Sequence, residues 1–291
     1  MRVTQGMLSN NLLHNLSKSY ANLDQYLNQV STGKKINRPS DDPVIAMKGI
    51  SYRRQVTEVE QFQRNINEVH NWMDNSDAAL DKATKALQKL RELAVQASND
   101  TYTGEERENI QKEAQQLKDH LVDIANTKVN DKYVFNGTAT DHRPFDDEGN
   151  RTSAFNTDDV MIEVAKGTEL KVNVTPDDVF SEAFFDRIDE MIDVLGSDDQ
   201  EAIEASIDQL DANINSTINA RADLGARMNR IELIENRLST QEIVAKETMS
   251  NNEDIDYAKA ITNLITQESL HRAALAAGAR IVQPTLVDFL R

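Results

Sequence analysis

Cysteine is missing from all 291 residues, which excludes disulfides, thiolate metal sites and cysteine nucleophiles. Proline occurs five times and glycine ten times, too rarely to interrupt the chain often, so long helices are expected. Aromatic residues amount to 5 %, with a single tryptophan, Trp72. A wide compact core relies on such bulky groups, so their scarcity beside abundant Leu, Ile, Val and Ala suits narrow seams between helices. No apolar run reaches the ~20 residues that cross a bilayer, and no membrane insertion is expected. Residues Met1 to Asn15 carry neither a basic start nor a continuous apolar stretch, so a Sec-type signal is not expected either. Glycine-rich phosphate loops and the Gly-x-Ser-x-Gly elbow do not occur, and the chain is not expected to be an enzyme or to hold a cofactor.

Charge is present, but unevenly. The net charge is −17, and residues 139–213 alone hold 21 acidic and five basic residues, a balance of −16. The rest of the chain is nearly neutral, as suits a molecule that exposes its middle and packs its ends. Nucleic acid, which is bound by clustered Lys and Arg, is not an expected partner. Two patterns hint at metal and fall short. Glu268 and His271 have the Glu-x-x-His spacing of di-iron bundles, yet no second copy exists. Asp146, Asp147 and Glu148 resemble a calcium loop, but Pro144 would stand at the first ligand position.

The strongest signal is helical periodicity. Leu13, Leu16, Tyr20, Leu23, Leu27 and Val30 recur at steps of three and four, one stripe of a helix that rests on another helix. The stripe stops at Gly33, and Asn37-Arg38-Pro39 makes a turn. Ser40, Asp41 or Asp42 can cap the next helix, with Pro43 in its first turn. Met73, Leu80, Ala83, Leu87, Leu90, Ala94 and Ala97 then follow a seven-residue repeat, and Ile110, Ala114, Leu117, Leu121 and Ile124 mark a third helix ending near Asn130. Tyr133-Val134-Phe135 reads as a short strand. Val160, Ile162 and Val164 alternate as Leu170, Val172 and Val174 do, around Lys166-Gly167, as in a hairpin. Asn-x-Ser/Thr sequons occur, for instance at Asn136 and Asn173, a pattern common by chance in an Asn-rich chain. Thr175-Pro176 opens another helix, closed by Gly196, and from Ser197 the pattern is helical almost to the end, with a weak point at Ser250-Asn251-Asn252.

The expected fold is mainly α, an elongated rod of long coiled-coil helices formed by both chain ends, with a small β-containing insert in the middle. Three parts are expected: residues 1–42 with 253–291 as a terminal coiled coil, 43–139 with 176–252 as a helical rod, and 140–175 as a small acidic hairpin insert. On the C-terminal side the packing residues are Ile261, Leu264, Leu275, Val282, Leu286 and Phe289.

Several segments resemble the bacterial flagellin family. They are Val30-Ser31-Thr32-Gly33 through Ile36-Asn37-Arg38-Pro39-Ser40-Asp41-Asp42, then Leu90 to Ala97, Leu224 to Glu232, and the run from Asp254 to Leu290. The opening Met1-Arg2-Val3-Thr4-Gln5-Gly6-Met7 and the Asp288-Phe289-Leu290 ending resemble junction members of the family more than filament flagellins. The resemblance implies an extracellular structural subunit exported through the flagellar type III apparatus, in which the two chain ends pair on assembly. It implies packing with other copies of itself in a ring, with an adjoining hook-associated junction protein and with flagellin, and handling by an export chaperone. The filament flagellin itself is the nearest alternative. A soluble helical scaffold or metal-binding bundle is the alternative from another class.

Overall fold

A computed structural model describes residues 5–98, 104–197 and 199–282. Among the described residues, seven helices and four short strands run in the order α1 (Gln5–Thr32), α2 (Pro43–Ala97), α3 (Gly104–Ala125), β1 (Lys128–Val129), β2 (Lys132–Tyr133), β3 (Met161–Ala165), β4 (Thr168–Lys171), α4 (Pro176–Val179), α5 (Glu182–Leu195), α6 (Gln200–Glu253) and α7 (Tyr257–Val282). The fold is mainly α, with long helices from both chain ends and short strands between them. The chain divides into two compact units, residues 1–58 with 241–291 and residues 59–240.

In the unit of residues 59–240, α2 and α6 run antiparallel, linked by Arg221 to Asp77 and Asp81, both at 2.9 Å, and by Arg91 to Asp211 at 2.6 Å. Their seam follows the heptad closely. Ile66, Met73, Leu80, Leu87 and Ala94 are all buried, as are Leu210, Leu224, Ile231 and Leu238 at multiples of seven in α6. Antiparallel to each other, α3 and α5 are held by Lys118 to Asp189 at 2.6 Å and by Gln111 to the Ile192 carbonyl at 3.0 Å.

The few aromatics are concentrated rather than spread. Six of the eight phenylalanines, Phe135, Phe145, Phe155, Phe180, Phe184 and Phe185, form one cluster with ring centroids 5.0–6.2 Å apart. This cluster is continuous with the α2, α3 and α6 core and takes in Val164, Leu170, Val172 and Val174. Residues 140–175 therefore share the core of this unit. The turns of both short hairpins are made by φ-positive residues: Asn130 and Asp131 join β1 to β2, and Gly167 lies between β3 and β4. The sequon asparagines Asn136 and Asn173 are structural. Asn136 and Asn173 are fully buried; Asn136 Nδ2 donates to the carbonyls of Ala139, His142 and Ala154, and Asn173 Oδ1 accepts from Val160 N. Neither amide is open to a sugar. The expected third-helix end near Asn130 falls instead at Ala125, where the paired strands begin.

Candidate assembly surfaces

In the unit of residues 1–58 with 241–291, α1 and α7 lie antiparallel. Leu12 stands against Gly278, where an added Cβ would come 2.7 Å from Leu12 Cδ2. Gln267 Nε2 donates to Ser19 O and Oγ at 3.3 and 3.2 Å, and the Tyr20 and His271 rings are 6.0 Å apart. The inner stripe of α1 is thus Leu12, Leu16, Ser19, Leu23, Tyr26 and Val30, all half-buried. That of α7 is Ala260, Leu264, Gln267, His271, Ala274 and Gly278.

This arrangement divides the stripe expected on α1. Leu16, Leu23 and Val30 are half-buried on the inner row, whereas Leu13 (58 % exposed), Tyr20 (64 %) and Leu27 (52 %) are not covered. At about 100° per residue the second row stands roughly a quarter turn from the inner one, and a single partner helix covers only one row. On α7, Leu264 faces inward while Ile261 and Leu275 are exposed, joined by Tyr257 and Ile265. These four also stand roughly a quarter turn from their inner stripe, in the same rotational sense. Because the helices are antiparallel, both displaced rows fall on the same side of the pair. The result is one apolar band made of Leu13, Tyr20, Leu27, Ile261, Ile265 and Leu275. Val282 is the last residue of α7, and Leu286 and Phe289 lie outside the described residues.

A joint stands where both backbones leave the helix. Residue Gly33, at φ +73°, ends α1. Asp41 Oδ2 accepts from the Asn37 and Arg38 amides at 3.0 and 2.9 Å, and Asp41 N donates to Arg38 O across a turn with Pro39 as its second residue. Asp42 Oδ1 caps α2 by accepting from Val44 N and Ile45 N at 2.9 and 3.0 Å, with Pro43 at the first helical position. The break between α6 and α7 falls at residues 254–256, a few positions after the weak point read from sequence. The two breaks are stitched together. Lys35 N donates to Glu253 O at 2.7 Å and Ile255 N to Gly33 O at 3.0 Å, around an antiparallel bridge of Lys34 with Asp254. Lys34 Nζ is 2.5 Å from Asp254 Oδ1, and Arg53 Nη2 is 2.7 Å from Glu253 Oε2. Glu253 is only 4 % exposed; its carboxylate occupies the space beside Gly49, where a Cβ would come within 2.5 Å of Oε1. Sequence reading found the turn residues Asn37 to Asp42 but missed Lys34, Gly49, Arg53, Glu253 and Asp254. Their partners are about 200 positions away, and the only local hint was a glycine inside a helical pattern.

The lysine hydrogen bond holds the Asp254 carboxyl below its ordinary value, with Ser250 adding to the effect, and the Arg38 and Asn37 amides do the same for Asp41. Lys34 is raised in turn, chiefly by Asp254. Depressed carboxyls stabilise the fold above their unfolded values near 4 and lose that contribution as pH falls through the lower folded values. A raised lysine stabilises below its unfolded value near 10 and loses that contribution only above it. The joint is therefore at full strength from about pH 5 to 10 and loosens in acid. The expected result is that Asp254→Asn shows a shallower loss of thermal stability between about pH 5 and 2 than the wild type. Identical acid limbs would remove Asp254 from the account.

Sequence models of two segments match this chain: the bacterial flagellin N-terminal helical region over residues 3–140 and the bacterial flagellin C-terminal helical region over residues 207–290. The chain belongs to the bacterial flagellin family. Flagellar hook-associated protein 3 of Escherichia coli (strain K12) is 24 % identical, with 95 % of this chain and 96 % of the relative covered. Flagellin of Bacillus subtilis (strain 168) is 25 % identical, with 97 % of each covered. The crystal structure of Bacillus cereus FlgL superposes with a TM-score of 0.61 at 25 % identity, over 69 % of this chain and 99 % of that one. This family member is a component of the bacterial flagellum, and its relatives are structural flagellar proteins. Among the described residues no three His, Cys, Asp or Glu side chains are grouped to hold a metal ion, and no helix is long and apolar enough to cross a membrane.

Proposed function

We infer that this chain joins the hook of the bacterial flagellum to its filament, as a structural subunit that acts by packing in a tubular assembly rather than by catalysis. The observation that carries the reading is the match to hook-associated protein 3 along almost the full length of both chains. The cover of nearly the whole Bacillus cereus FlgL structure supports it. The apolar band on one side of the α1/α7 pair supplies the physical means. An apolar row left open in a free subunit gains stability when a neighbour covers it, at roughly 25 cal/mol per Å². The proposed partners are other copies in a ring, the adjoining hook-associated junction protein and flagellin, with an export chaperone handling the chain before secretion through the flagellar type III apparatus. In assembly terms, residues 1–42 with 253–291 act as the terminal coiled coil, 43–139 with 176–252 as the helical rod, and 140–175 as the small acidic hairpin insert.

Deleting the gene decides between this reading and the filament subunit. Electron microscopy of the deletion strain is expected to show hooks without filaments, with flagellin released into the medium. Bare hooks without released flagellin would make this chain the filament subunit instead. Intact filaments would end the junction reading.

A further inference from the structure

Asn136 and Gly137 are the one Asn-Gly pair in the sequence, and Asp-Gly does not occur. In such a pair the nitrogen after the asparagine is unhindered, because glycine has no side chain, and it can reach the side-chain carbonyl carbon. The bond from Gly137 N to Asn136 Cγ forms, the Cγ–Nδ2 bond breaks, and Nδ2 leaves as ammonia with the Gly137 amide hydrogen. Water then opens the cyclic imide at either carbonyl, giving aspartate or an isoaspartate joined to Gly137 through its side chain. The fold needs both members of this labile pair. Asn136 is fully buried; its Nδ2 faces the carbonyls of Ala139, His142 and Ala154, and its Oδ1 accepts from Asn156 N at 2.9 Å. Only an amide supplies donor and acceptor together on so short a side chain. Gly137 is buried too, at φ +51°, and a Cβ there would come 2.8 Å from Asn156 O and 2.9 Å from Asp158 O. Both oxygens belong to the backbone and cannot swing aside, so glycine is required.

We propose that Asn136-Gly137 is a modification site of the unfolded chain: the fold blocks its deamidation, and deamidation, once it has occurred, blocks the fold. Protection comes from the cage around the amide. For Cγ to meet Gly137 N, the side chain must leave three carbonyls and the Asn156 amide at once, in a place closed to water. The reaction then runs only through an opened state, at a rate scaled by how seldom that state is visited. Exclusion from the fold comes from the product. An aspartate carboxylate at position 136 has no hydrogen to donate, so three carbonyl oxygens would face a buried anion. Isoaspartate instead adds a methylene to the backbone of the turn in which Asn136 O accepts from Ala139 N. Either product unties residues 139–142 from 154–156, beside Phe135 and Phe155 of the phenylalanine cluster. Asn173 is equally buried, yet Val174 follows it and hinders the attacking nitrogen. Each chain therefore loses its ability to fold in step with the time it has spent unfolded.

The test uses the purified full chain at mildly alkaline pH, folded in buffer or unfolded in urea, with the peptide containing Asn136 followed by mass spectrometry. Conversion of the amide to the acid is expected to be at least about a hundredfold slower in the folded chain than in urea. Similar rates in the two would overturn the protection. In urea, where folding does not matter, Gly137→Ala is expected to slow the conversion about tenfold, because a methyl group crowds the attacking nitrogen. A wild-type rate in that variant would remove the Gly137 nitrogen from the route. Exclusion from the fold is read without any variant. Wild-type chain partly converted in urea is diluted to refold, and folded monomer is separated from the remainder by size. The folded fraction is expected to hold the acid forms at about a tenth of their share in the input or less. A general refolding loss would strike both forms alike, so acid forms shared equally between the fractions would overturn the proposal.

Discussion

A Leu27→Asp chain is expected to be secreted at the wild-type level and to be missing from sheared flagella. Leu27 is half exposed on the open side of the α1/α7 pair, so a carboxylate there is solvated in the free subunit and disturbs no contact of the inner row. On assembly the same carboxylate would have to leave water against an apolar neighbour, at a cost of several kcal/mol. The lost leucine contact removes about 1.5–3 kcal/mol more. Subunits held by many such contacts in a row cannot absorb that at every copy. Immunoblots of sheared flagella and of medium, with a thermal melt of the purified chain, provide the readout. Leu23→Asp is the informative contrast, because Leu23 is on the inner row. It should also weaken α1 against α7 in the free subunit, which the melt would show as lost helix content. Normal incorporation of the Leu27 variant would mean that the open side is not an assembly surface.

The largest expected loss of stability is elsewhere, at Phe180. Its ring is fully buried and stands 5.2 Å from Phe184, 5.3 Å from Phe135, 5.9 Å from Phe145 and 6.2 Å from Phe185. It joins the end of α4 to the strand segment and to α5. Phe180→Ala should cost about 3–5 kcal/mol, from lost transfer free energy and from the cavity left among rings that cannot all collapse inward. Urea unfolding followed at Trp72, which lies in the same hydrophobic cluster, would report it as a lower midpoint at unchanged slope. A loss below about 1 kcal/mol would show that the cluster repacks freely. Leu27→Asp, by contrast, should leave this transition where it is.

Much of this fold was legible because helices write their contacts into local spacing. The α2 heptad from Met73 to Ala97 was readable in sequence, and every member is buried. The hairpin around Lys166-Gly167 could be read from alternation and from a glycine that adopts φ +70°. The α1 stripe was readable as apolar but not as two rows. Periods of 3.5 and 3.6 are indistinguishable over four turns, and only the partner's position tells which row it covers. Aromatic scarcity suggested narrow seams throughout. Composition averages over the chain and conceals that six phenylalanines separated by up to fifty positions meet in one place. The joint was hardest to see, since Lys34 with Asp254 and Arg53 with Glu253 are paired across some two hundred residues. No local rule connects them.

The joint has a consequence for cooperativity. A helix transmits order because each added residue extends an existing hydrogen-bond ladder, and a break forces a new and costly nucleus on its far side. Here both strands of the chain break at one height, with two backbone hydrogen bonds and a few ion pairs crossing between them. Melting of α1 against α7 therefore has no ladder along which to spread into α2 or α6, and order gained in those helices does not propagate outward. The terminal pair can be lost and regained as a unit of its own, at a free-energy cost set by its own contacts and not by the stability of the whole chain.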